Sequence, residues 1–299
     1  MSLTSKRKTV QFVTLLFLLA LLLGVPVQAA TSSRPDESVP VRVGLYYGST
    51  AAPTFNLENV DGYGSGYRFG HFDSSLNFIQ LGYTAETKVS VLKTYNIYLT
   101  STQSYTTEPT SYGVVGCYHV QLPGSYWDYE SARPAAEQAG GFVAWINGTY
   151  YVRVGSYPSA TEAASAASVY GGTVGETSSS GVSVTITGTT QILFQFDDQG
   201  SGTGLGIRPG MDDSVKTQTW CKGYRYFGSF RYQRINGGDL TLVNLVDMND
   251  YVNCVISQEM SDSWPLEALK AQAICARNYY AVNRGKHSSY GFDICASTH

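Results

Sequence analysis

The sequence predicts an α+β protein: β-rich segments, a split β-α-β module in the middle, and a helical segment near the C-terminus. Three observations predict it. An internal repeat occupies residues 117 to 188, short runs of apolar and polar alternation lie on both sides of it, and one long helical pattern follows.

The chain of 299 residues opens with Lys6, Arg7 and Lys8, then the apolar run "FVTLLFLLALLLGV", then Val27-Gln28-Ala29. This is the pattern of a secretory signal, and residues 1–29 are read as a signal peptide and the remainder as exported. An uncleaved anchor is the alternative, since the run lies near the lower length limit for a membrane span. Residues 30–40 form a polar, proline-containing linker. Net charge is −3 with 14% charged residues, so the basic stripe that neutralises phosphates is missing and no nucleic acid is expected as a partner. The composition includes 23 Tyr, with abundant Gly, Ser and Thr, which suits short strands and surfaces that stack on sugar rings. Five cysteines, an odd and scattered set, point to free thiols or a metal ligand more than to a disulfide framework.

From 41 to 112, "VRVGLYYG", "LNFIQLGYT" and "KVSVLKTYNIYLT" read as short strands separated by Gly, Ser and Asn clusters, an N-terminal β-rich part. The repeat then pairs "YHVQLPGSYWDYESARPAAEQAGGFVAWING" with "YYVRVGSYPSATEAASAASVYGGTVGETSSS" at a spacing of about 32 residues. Each copy reads as strand, Gly-Ser-Tyr turn, Ala-rich helix, Gly-Gly, strand. Two copies make one four-stranded sheet covered by two helices. In the second helix Ser159 or Thr161 can cap, Glu162 lies in the first turn, Ala163, Ala166, Ala167 and Tyr170 fall at helical spacing, and Gly171-Gly172 ends it.

This stretch, residues 115–188, resembles the SPOR domain, a small module that binds peptidoglycan, chiefly on "YYVRVGSYPSATEAASAA". Strand parity puts Tyr150, Val152 and Val154 under the helices. His119, Gln121, Trp145, Tyr151 and Arg153 are then expected on the open face, where the resemblance implies contact with glycan. Asn147-Gly148-Thr149 fits a glycosylation acceptor, but a turn explains it better.

Residues 200–219 read as a loop or linker. The segment from Tyr224 to Met260 reads as strands, with Asn236-Gly237 as a hairpin turn. "SDSWPLEALKAQAICARNYYAV" is the strongest helix: Ser263 can cap, Pro265 sits in the first turn, Glu267 complements the dipole, and Leu266, Leu269, Ala273, Ala276 and Tyr280 form an apolar stripe. Lys270 and Arg277 share a side, most simply a solvated one.

Glu259 precedes that helix, with Val255, Ile256, Met260 and Trp264 around it. A carboxyl in apolar surroundings holds its proton more tightly and can act as a general acid, although most such residues are solvated or capping. "LTLVNLVDMNDYVNCVISQEMSDSWPLEALKAQAICARNYYA" resembles the core of the stage II sporulation protein D and LytB family, and "VRVGL" is similar to the start of that family's domain. The SPOR-like module is then an insertion within that domain. The resemblance implies a peptidoglycan lytic transglycosylase acting on peptide-free glycan strands in sporulation or septal wall remodelling, with Glu259 as the catalytic acid and base. It also implies a location at the cell wall or the outer face of the membrane. A lone carboxylate suits this reaction, because the muramyl 6-hydroxyl of the substrate is the nucleophile. The resemblance further implies a structural zinc, for which His287, Cys295 and His299 are ligand types of compatible spacing. Residues 189–299 are expected to be an incomplete, truncated copy of the family domain. The alternative function is a non-enzymatic wall-binding protein that localises or stimulates a cell-wall amidase.

Overall fold

In the computed structural model, which describes residues 40–296, the strand Val41–Tyr46 pairs antiparallel with Leu240–Val246, in the register Val41 to Val246. The first strand of the β-rich part and the C-terminal segment therefore share one sheet. Leu240–Val246 is buried along its whole length, as expected for a central strand covered on both faces. The sheet has seven strands in the order Ile294–Cys295, Val41–Tyr46, Leu240–Val246, Ser229–Arg234, Leu205–Pro209, Tyr67–Phe72, Phe78–Thr84. Between Ser229–Arg234 and Leu240–Val246 the chain reverses through Asn236 and Gly237, both at positive φ, at the expected turn.

The repeat folds as a β-α-β-β-α-β unit. Its strands Tyr118–Gln121, Phe142–Ile146, Thr149–Tyr157 and Thr173–Glu176 lie in the order fourth, first, third, second, with antiparallel neighbours. Its helices are α1 (Tyr129–Gln138) and α2 (Ala160–Tyr170). Asp128 caps α1 by accepting from Ser131 N at 2.8 Å, and Ser159 caps α2 by accepting from Glu162 N at 3.2 Å. Gly171, at φ 71°, closes α2 in the left-handed conformation that a residue with a Cβ avoids. The buried faces of both helices are alanines, Ala132, Ala136, Ala163 and Ala167, which let the helix backbones approach the sheet closely.

The four strands do not stand alone as expected. Phe142–Ile146 pairs in parallel with Ile192–Asp197, and the sheet runs on through Val182–Ile186, Lys88–Lys93, Thr54–Asn59, Thr219–Cys221 and Tyr224–Tyr226 to ten strands. An apolar edge such as Phe142-Val143-Ala144-Trp145-Ile146 is a template for further pairing, and here the same chain supplies the partner.

The two sheets enclose the main core, in which Phe69 and Phe194 stack at 5.3 Å. Leu205–Pro209 corrects the expectation of a loop over 200–219: Leu205 and Ile207 are fully buried. Gly206 faces Phe72 and His71 so closely that a Cβ would meet them at 3.0 and 3.2 Å. Gly206, which reads as loop, serves that close packing.

A second cluster sets the C-terminal helices. Strand pairing ends at Val246, and α3 (Met248–Glu259) begins where strands were expected to continue. Asp247 caps it, accepting from Asn249 N at 2.7 Å. Met248 and Val252, with Val255 and Ile256 partly buried, follow a helical period and pack on Val41, Val43 and Val246. α4 (Leu266–Asn283) contributes Ala276 and Tyr280 to the same cluster. Its N-cap is Pro265 without a side-chain cap, while Ser263 bonds Ser261 at 2.8 Å, so Ser263 does not cap it. The expected stripe is buried only toward its C-terminal half, since Leu266 is exposed. Among the described residues no helix is long and apolar enough to cross a membrane. Residues 1–29, read as a signal, lie outside them, as does most of the linker.

Candidate functional site

Glu259 occupies the last turn of α3, immediately before a tight connection to α4. Met260 N bonds Ile256 O at 2.9 Å, Trp264 N bonds Ser261 O at 3.1 Å, and Pro265 O accepts from Ala268 N at 2.9 Å, so backbone hydrogen bonds close the turn. The two helices are tied from below. Val252, Ala276 and Tyr280 share the second cluster, and Arg277 donates to Asn249 Oδ1 at 2.7 Å across the helix pair. Lys216 pairs with the buried Asp250 at the start of α3.

The turn presents Glu259 to solvent, not within an apolar enclosure as expected. Val255 and Ile256 turn down onto the second cluster, and Trp264 is 52% exposed. What the arrangement offers is an accessible carboxylate on a rigid support, able to give or take a proton from a ligand laid across the turn. Lys270 bonds Glu267 at 2.8 Å on the exposed side of α4, in agreement with a solvated role.

The five residues expected on the open face of the module separate. Gln121 and Tyr151 are half-buried. His119 and Arg153 are buried, at 0% and 2% exposure, which corrects their placement as surface residues. They belong to a closed network around the fully buried Gln195. His119 Nδ1–H donates to Gly155 O at 2.8 Å, and its Nε2 accepts from the Gln195 amide at 2.9 Å. That amide also donates to Ser183 Oγ, while Gln195 Oε1 accepts from Arg153 at 2.7 Å. Gln121 Oε1 accepts from Arg153 as well, at 3.0 Å. Burial pushes the His119 pKa down to about 3 and that of Arg153 down to about 10, so the imidazole is neutral and the guanidinium charged at neutral pH.

The face is closed because the chain roofs it. A small sheet of Tyr105–Thr106, Ile97–Leu99 and Val114–Val115 packs Ile97 and Val115 onto Leu92, Phe142, Ala144 and Ile192. Phe142 lies opposite Arg153 and Ala144 opposite Gln195, so this is the face that carries the network. Trp145 is also corrected. It pairs with Tyr150 and lies on the helix-covered face, where it stacks on Phe196 at 4.9 Å.

Of the residues expected to hold zinc, His299 lies outside the described residues. His287 and Cys295 both adjoin Tyr47: the imidazole centroid is 5.6 Å from its ring, and the thiol meets its phenol. Imidazole and thiol are both donor types that zinc accepts. Among the described residues, however, no group of three or more His, Cys, Asp and Glu converges, so a tetrahedral set is not complete there.

Sequence reasoning missed a cleft walled by Tyr46, Tyr47, Tyr224, Tyr226 and Tyr290. The tyrosine-rich composition was its only signal.

Residues 236–299 match the family model described as "Stage II sporulation protein". That segment contains the whole central strand Leu240–Val246, α3 with Glu259, α4, His287 and Cys295. An uncharacterized protein of Brachyspira hyodysenteriae is 46% identical over 77 residues, which cover 25% of this chain and 21% of that protein. The matched part is thus about one fifth of the relative's length. No solved structure matches the chain.

Proposed function

We propose that this is an exported, cell-wall protein that cleaves peptide-free peptidoglycan strands as a lytic transglycosylase, in sporulation or septal wall remodelling. The observation that carries the reading is the position of Glu259. Within the segment that matches the sporulation-protein model, it is an exposed carboxylate on a helix end that is anchored from below.

The reaction follows from one carboxyl group. Protonated Glu259 donates its proton to the glycosidic oxygen as the bond from C1 breaks, and the departing sugar leaves as an alcohol. The resulting carboxylate then accepts the proton of the muramyl 6-hydroxyl as that oxygen bonds C1, closing a 1,6-anhydro ring. The proton count balances and Glu259 ends protonated. Hydrolytic glycosidases divide these duties between two carboxylates. A structural zinc would take His287 and Cys295 as two of its ligands, and no step passes through it.

The test is product analysis. Peptide-free sacculi incubated with the protein are expected to release 1,6-anhydromuramyl fragments, and Glu259→Gln to abolish the release. Release that is unchanged in the variant refutes the assignment.

A further inference from the structure

The tyrosine cleft has a volume of ≈ 630 Å³, and none of its described lining residues carries a charge. Tyr46 and Tyr47 come from the end of the first strand, Tyr224 and Tyr226 from the edge strand of the ten-stranded sheet, and Tyr290 from a 3-10 turn, Ser288–Tyr290. Contacts behind the cleft hold most of these rings. Tyr47 meets Tyr290 at 5.2 Å and Phe292 at 4.8 Å edge-on, Tyr46 meets Phe55 at 5.3 Å, and Tyr226 meets Phe230 at 6.0 Å. Tyr224 differs from them. It is 66% exposed at the hairpin edge, a large ring kept in water.

A neutral phenol offers both a donor and an acceptor. Among the described residues, a lining without charge has nothing to pair with a phosphate, a carboxylate or an amine. A pyranose ring matches it, with an apolar C–H face for the aromatic rings and hydroxyls at its rim for the phenols. In a peptide-free strand the N-acetylmuramyl unit carries a lactyl carboxylate and the N-acetylglucosamine unit carries no charge.

We infer that this cleft is a second glycan subsite, sharing no residue with the Glu259 turn, in which the tyrosines hold an uncharged N-acetylglucosamine unit. The inference rests on the reading of the protein as one that acts on glycan. It implies that the strand is gripped through its neutral sugars while the muramyl units are left for chemistry elsewhere.

The probe is chitohexaose, an uncharged β-1,4 oligomer of N-acetylglucosamine, titrated into the full chain by calorimetry. Saturable binding is expected. Tyr224→Ala is expected to weaken it by roughly fivefold or more, the scale of one lost aromatic stack, and Tyr224→Phe to stay within about twofold. Glu259→Gln is expected to bind chitohexaose like the parent, and since binding needs no turnover, this result is separate from the fate of the catalytic assignment. Absence of chitohexaose binding by the parent, equal binding by Tyr224→Ala, or binding of free stem peptide in its place each overturns the proposal.

Discussion

Acidification should destabilise this protein through His119, and the effect can be worked from the structure. The imidazole is fully buried, donates to Gly155 O and accepts from Gln195, and faces the Arg153 cation in the same network. Burial holds its folded pKa near 3, against an ordinary value of 6.5. The folded pKa is the lower one, so the unfolded chain binds the extra proton. The neutral imidazole therefore contributes its full stability above pH 6.5, and that contribution is lost as pH falls toward 3. At pH 5 the linkage amounts to about 2 kcal/mol. His119→Gln removes the titration while keeping a polar side chain. Urea unfolding at pH 7 and pH 5 is expected to show the parent losing about 2 kcal/mol more than the variant between the two conditions. Equal losses would refute the reasoning, because they would mean that His119 titrates in solvent, as an open-face residue would.

Two further outcomes follow from the helical end of the molecule. Asp293, 1% exposed, receives Arg42 through two hydrogen bonds of 3.1 and 2.7 Å and ties the last strand to the first. Asp293→Ala leaves a half-buried guanidinium without its carboxylate and is expected to cost roughly 2 to 3 kcal/mol, a fall of about 5 to 10 °C in Tm by calorimetry. A change below about 2 °C would contradict the anchoring role. Asp247→Ala removes the cap of α3 and is expected to lower stability by about 1 kcal/mol, while Asp247→Ser retains most of it. Circular dichroism melts in which both variants fall equally would contradict the cap.

Sequence reading reached local features better than enclosures. Ser159, Glu162 and Gly171 marked α2 because capping and chain reversal are decided within one turn of helix. Parity separated Arg153 from Val152, but it carries no information on what lies above a face. The roof comes from residues 97 to 115 of the same chain, so an expected glycan surface became a buried network. Trp145 shows a signal that was present and misread. Asn147 and Gly148 form the turn at positive φ, which pairs Ile146 with Thr149 and hence Trp145 with Tyr150. α3 reads as strand when the run from Val252 to Ile256 is taken as a short apolar stretch, although Val252, Val255 and Ile256 fall at i, i+3 and i+4, the spacing of a helix. Glu259 itself was identified by resemblance, and its exposure on a helix end was not legible from neighbouring side chains.

The central claim rests on Glu259, and its most direct test is mass analysis of the soluble fragments released from peptide-free sacculi. The account predicts 1,6-anhydromuramyl ends from the parent, and from Glu259→Gln a rate lower by about 10²- to 10⁴-fold, the usual contribution of a general acid. Anhydro products released at the same rate by Glu259→Gln would contradict it.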